Sequence, residues 1–271
     1  MRVLATIGLI LLSGSAIAHD SPNDVIDRLT HQLEHGVTAR LLVDRGLEYR
    51  AIGDTQAAEA DFRAALALNK HYVPAHLTLA QMFVHEERID DAVLIIETGL
   101  RESRDEDHRD EFLRLRAECE VHEHDWISAI ASLDAMNTDL QGDLDTVLLR
   151  SAIRVNLNQL TLRVEELRIA FRDNAAVVIE LELIEALRDA GLHDESLDRI
   201  NEHLHNRKFK AEWLLRRAKT YHAMGETASM KTDLEVALVE LENRLDVPRP
   251  DTQLFTLRDQ ARDLLGVSTS S

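Results

Sequence analysis

Residues 39–68, ARLLVDRGLEYRAIGDTQAAEADFRAALAL, decide the fold. Leu42, Gly46 and Tyr49 stand four and three apart, the spacing that places side chains on one face of a helix. Gly53 interrupts that helix. A second helix then carries Ala58, Phe62, Ala65 and Leu66 on its own face. Small residues, Gly46 and Ala58, fall where the two helices would cross, and Tyr49 and Phe62 fill the space beside them. The stretch therefore predicts a helical hairpin. A lone hairpin cannot bury both of its apolar faces, so a repeated unit is expected.

The repeat is present. From Val73 the pattern returns with Leu79, Ala80 and Phe83, a polar turn at Glu86, Glu87 and Arg88, and then Ala92, Ile96, Gly99 and Leu100. Ala80 follows Gly46 by 34 residues and Ala92 follows Ala58 by 34. A charged connector, 101–107, precedes a third unit marked by Leu113, Ala117, Trp126, Ala129, Leu133 and Met136. In the fourth, Leu148, Ala152 and Val155 are expected to mark one helix and Val164, Leu167, Ala170 and Phe171 the next, with no glycine between them. The fifth carries Ile184, Leu187, Gly191, Ser196, Ile200 and Leu204. The sixth, 211–238, returns most fully to the first, sharing with it Tyr221, Gly225, Asp233 and Ala237. Units are expected near 39–72, 73–106, 110–143, 144–176, 177–210 and 211–244. A leading helix within 19–38 starts at Ser21 and Pro22. After Pro248 and Pro250, a capping helix with Leu254, Leu257, Ala261, Leu264 and Leu265 precedes a tail, the whole spanning 245–271.

Of the 271 residues, 45% are apolar and 30% charged, enough for a core and too polar for a membrane bundle. Residues 1–18 read as a secretory signal: Arg2 at the positive end, an apolar run from Val3 to Leu12, and Ala16-Ile17-Ala18 before the cut. The expected location is the periplasm or the exterior, with His19 as the mature N-terminus and no membrane insertion after cleavage. Losing Arg2 takes the formal charge from −18 to −19. Such a surface repels phosphate backbones, so nucleic acid is not an expected partner. Cys119 is the single cysteine, which excludes an internal disulfide and leaves stability to packing.

With a unit of about 34 residues and these markers, the chain resembles the tetratricopeptide repeat family. Gly46, Tyr49, Gly53, Ala58, Phe62 and Ala65 match the family pattern in the first unit, and Ala218, Tyr221, Gly225 and Ala237 in the sixth. The exit proline is missing throughout, Arg163 or Val164 replaces a small residue in the fourth unit, and Met230 does so in the sixth. Sel1-like and armadillo-like arrays, with differently punctuated units, fit less well. The resemblance implies an all-α, right-handed α-solenoid of about six hairpins with flanking helices. It also implies a concave groove, lined by first helices, that holds a peptide or partner protein. On that basis the groove residues are Arg40, Val43, Leu47, Arg50, Leu77, Gln81, His85, Arg114, Glu118, Leu181, Glu185, Arg188, Leu215, Lys219 and His222. The carboxylate clamp of some family members is absent, since its positions fall on Val43, Leu47, Thr78, Glu111 and Leu115.

Catalysis is not expected, and neither is a cofactor. There is no H-E-x-x-H, phosphate loop or nucleophile elbow. His122 with His124 and Asp125, and His203 with His205, are spaced two apart and would diverge on a helix. The alternative to a scaffold is a metal-handling or accessory envelope protein using the mature N-terminal His19 and surface histidines; for a copper ion at His19, His31 and His35 are the candidate second ligands, on a following helix that nothing in the sequence aims back.

Overall fold

The computed structural model describes residues 21–137, 143–246 and 252–266. The expected signal segment, His19, Pro248, Pro250 and the end of the tail lie outside these. The described residues form fourteen α-helices and no strand. They divide into two compact units, Met1–Leu115 and Arg116–Ser271.

The first unit opens with α1 (Pro22–His35). Ser21 caps it, its Oγ accepting from the Asp24 N–H at 3.3 Å while Asp24 Oδ2 accepts from the Ser21 N–H at 3.1 Å. Ile26, Leu29 and Leu33 form its buried stripe, and it packs on α2 (Ala39–Ala51). Then follow α3 (Thr55–Leu68), α4 (Val73–His85) and α5 (Ile89–Glu102), each packed on its predecessor, with α4 also against α2. Gly46 and Phe62 meet as the sequence predicts: a Cβ on Gly46 would lie 2.5 Å from the Phe62 ring. Gly99 and Phe112 repeat the arrangement, with 2.2 Å from the same hypothetical Cβ. Phe112 lies on α6 (Glu106–His122), the helix within which the two units divide.

The second unit continues with α7 (Trp126–Asp134), α8 (Leu144–Asn156), α9 (Leu160–Asp173), α10 (Val177–Asp189), α11 (His193–Asn206), α12 (Ala211–Met224), α13 (Thr227–Leu245) and α14 (Thr252–Leu265). Neighbours along the chain from α7 to α14 pack on each other, and α8 on α10 and α12 on α14 join alternate helices. One core joins Val147, Val164, Leu167 and Ala170 to Ile179, Leu183, Ala186 and Leu187. A second gathers Ile184, Ile200, Leu204, Trp213, Leu214 and Leu241.

All six hairpins turn in one way. A residue in the left-handed region stands at Gly53, Glu87, His124, Asn158, Gly191 and Gly225, with φ of 82°, 57°, 61°, 54°, 77° and 78°. Each turn bonds the next residue's N–H back to the carbonyl five residues earlier: Asp54 to Tyr49 at 2.9 Å, Arg88 to Phe83 at 2.8 Å, Asp125 to Glu120 at 2.8 Å, Gln159 to Arg154 at 2.9 Å, Leu192 to Leu187 at 2.8 Å and Glu226 to Tyr221 at 2.9 Å. This satisfies carbonyls that the helix end leaves unpaired. The fourth hairpin thus has its turn without a glycine, because asparagine tolerates the left-handed region.

The turn also corrects the face expected for α8. Counting seven back from each left-handed residue gives Gly46, Ala80, Ala117, Ser151, Ile184 and Ala218, so the contact position in the fourth hairpin is Ser151. Val147, Arg150, Ser151 and Ile153 are buried, whereas Ala152 and Val155 are exposed. The apolar pattern misled because three of the buried positions, Thr146, Arg150 and Ser151, hold polar side chains. Ser151 meets Arg163, which occupies the small-residue position of α9 and is buried. Arg163 Nε donates to Ser151 Oγ at 2.8 Å, and its two terminal nitrogens donate to Glu182 at 2.7 Å and Asp189 at 2.9 Å. Ser151 Oγ donates in turn to Glu182 at 2.7 Å. A buried guanidinium persists only when carboxylates and hydrogen bonds surround it, and Ser151, Glu182 and Asp189 supply both.

Polar clasps recur inside other hairpins. Arg45 holds Asp61 through two bonds of 2.7 Å, and Arg217 holds Asp233 at 2.7 and 2.8 Å in the corresponding positions of the sixth hairpin. In each, the arginine's charged form is favoured chiefly by the hydrogen bonds it donates to its aspartate.

Candidate partner-binding surface

The wall expected to receive a partner is carried by the first helices of the hairpins. In the first unit, Arg40 is exposed and lies 3.7 Å from Asp44, Arg50 and His85 are exposed, and Leu47, Leu77 and Gln81 are half-buried. Arg114 donates to Glu111 at 3.1 Å. Val43 is only 4% exposed and belongs to the packed interior, which corrects its assignment to the groove. It stands next to Leu42, and on this helix both neighbours are covered.

In the second unit the same correction applies to Leu215, 2% exposed and packed with Ala218, Met230, Leu234 and Ala261. Helices α13 and α14 both contribute to this cluster, contacts that periodicity within α12 cannot reveal. Glu118 is half-buried, Leu181 packs at the edge of the Trp213 core, and His222 is exposed.

Glu185, Arg188 and Lys219 are brought together across α10 and α12, with a residue that the sequence reading missed, Arg216. Arg216 donates to Glu185 at 2.6 Å and to Glu212 at 3.3 Å. Its signal was the four-residue spacing of Glu212 and Arg216 on one helix. Arg188 is engaged by Asp189 at 2.8 and 3.0 Å. Lys219 is different, for its ammonium donates to the neutral amide oxygen of Gln260 on α14 at 3.1 Å, and among the described residues it has no ion-pair partner. Burial lowers its pKa, Arg188 and Arg216 lower it further, and Glu185 opposes them. This is a partly desolvated cation beside two others, on a chain of net charge −18.

The histidines of the two clusters stand in different local settings. His122 ends α6 and His124 forms the left-handed turn, while Asp125 caps α7 by accepting from the Ser128 N–H at 3.1 Å. His203 stacks on Trp213, ring centroids 3.9 Å apart, and meets Glu180 at 3.0 Å, whereas His205 is exposed. Cys119 is buried, its thiol pushed up to about 12 by burial and by Glu118, Glu123 and Glu120.

Residues 49–119 match the sequence profile described as tetratricopeptide repeat. The chain thus carries tetratricopeptide repeat sequence over residues 49–119, and the hairpins beyond that stretch repeat the same turn. Its fold is similar to that of a tetratricopeptide repeat protein from Parabacteroides merdae, at 12% identity and a TM-score of 0.57, covering 89% of this chain and 90% of that one. It is also similar to the Pseudomonas aeruginosa protein pilF, at 16% identity, a TM-score of 0.56 and coverage of 88% and 99%. A chain of the APC/C hetero-tetramer Cut9–Hcn1 gives 15% identity and 0.57, over 89% of this chain and 46% of that one. At these identities the likeness concerns the fold. No curated protein matches the sequence. Among the described residues no helix is long and apolar enough to cross a membrane. A tetratricopeptide repeat fold is that of a protein–protein interaction scaffold, and protein or peptide partners are its general counterpart.

Proposed function

We propose that this protein is an exported, non-catalytic scaffold whose first helices hold a peptide or partner segment bearing acidic side chains. The observation that carries the reading is Lys219. A cation that is partly desolvated, next to Arg188 and Arg216, and bonded to a neutral amide gains from an arriving carboxylate, which supplies the charge pairing that Gln260 does not. Half-buried Leu181, on α10 with Glu185 and Arg188, supplies apolar contact in the same unit, so a segment mixing leucine-like and acidic residues fits best. Export rests on the composition of residues 1–18.

A randomised peptide library panned on the purified protein tests the binding half. Enrichment of acidic peptides is expected, with their binding abolished in Lys219→Glu and partly rescued by reversing the peptide charge. Enrichment of basic or purely apolar sequences, indifferent to Lys219→Glu, refutes it. Fractionation with N-terminal sequencing tests export: the mature chain is expected to begin at His19, and an intact Met1 in the cytoplasm refutes it.

A further inference from the structure

We propose that His31 and His35 on α1 form a binding site for a divalent late transition metal of the zinc class. The two residues are four apart on one helix, so they share a face one turn apart. Their Nε2 atoms lie 3.3 Å from each other. Zinc–imidazole bonds are about 2.0–2.1 Å long, and two of them at a tetrahedral angle place their nitrogens about 3.3 Å apart. The two donors already stand at the separation that chelation requires.

The rings meet edge to face, at 86° with centroids 4.7 Å apart, so the nitrogens converge without stacking the rings. His31 Nδ1 meets Glu34 Oε2 at 3.2 Å. An ionised carboxylate can only accept, so the proton sits on Nδ1 and the lone pair of Nε2 is free for a metal. A carboxylate behind a ligating histidine is the arrangement that fixes ring orientation and raises ligand basicity at zinc centres. His35 Nε2 then donates to His31 Nε2 in the metal-free form, and metal binding moves its proton to Nδ1. Both rings are exposed, leaving remaining coordination positions to water. The two donors are imidazole nitrogens, which suit zinc or copper rather than calcium or magnesium.

Calorimetric titration of the full chain with Zn(II) tests the site. Saturable uptake near one ion per chain is expected, weakened about tenfold or more in His31→Ala and in His35→Ala, by a smaller factor in Glu34→Gln, and unchanged in the control His205→Ala. Because the pair is exposed, far-ultraviolet circular dichroism of each variant should overlay the parent, separating ligand loss from unfolding. Uptake that is absent below about millimolar Zn(II), or that survives both alanine variants unchanged, overturns the proposal.

Discussion

Replacing Glu87 or His124 with glycine should stabilise this protein. Both residues sit at left-handed φ, 57° and 61°, in a turn that three of the other hairpins build with glycine. A side chain there costs about 1–2 kcal/mol because Cβ crowds the following carbonyl. Glycine removes that cost and adds about 0.5–1 kcal/mol through the greater freedom of the unfolded chain. The balance is a gain of about 0.5–1 kcal/mol per site. Both side chains are exposed, so little packing is lost, although His124 gives up a tilted ring contact with Trp126 at 5.5 Å. Asn158→Gly should change stability by less, since asparagine tolerates this region, and Gly53→Ala and Gly225→Ala should lose what the other two gain. Repeat arrays unfold by neighbouring units, so the suitable assay is native-state hydrogen exchange of the helices flanking each turn, supported by urea titration. Destabilisation of about 1 kcal/mol or more by both Glu87→Gly and His124→Gly would refute the shared turn.

Gly46→Val drives its new side chain into Phe62 and should cost about 1–3 kcal/mol in urea unfolding, while Ala58→Arg, at a fully buried crossing, should cost more because it adds an unpaired charge. Glu182→Leu removes one carboxylate from Arg163 and leaves Ser151 and Asp189 to hold it, a loss of about 2 kcal/mol expected in unfolding of the second unit. The Cys119 thiol should resist a disulfide reagent at neutral pH in the folded protein and react fully on denaturation; rapid native labelling would contradict its burial. The cap at Asp125, whose pKa the Ser128 bonds hold below 3.8, contributes above the unfolded value and is lost as pH falls through the folded one. Exchange protection of the first turn of α7 should therefore drop in acid and be insensitive to acid in Asp125→Ala.

The sequence by itself determined the all-α repeat and its period, because a hairpin buries small and large residues at fixed offsets and Gly46, Ala58 and Phe62 advertise them within one local stretch. It also singled out Glu185, Arg188 and Lys219, which the structure brings together across α10 and α12. Three other matters needed the tertiary structure. The register of α8 depends on Ser151 and Arg163, polar residues that count as buried only once Glu182 and Asp189 are seen around them. Val43 and Leu215 carry the signature of an open apolar wall, and only neighbouring elements, α13 and α14 in the case of Leu215, show them covered. The turn at Glu87, His124 and Asn158 was illegible without backbone angles, because glycine is the usual sign of left-handed geometry and these residues do not give it. Periodicity reports which face of a helix is apolar; what covers that face is decided by elements far away in the chain.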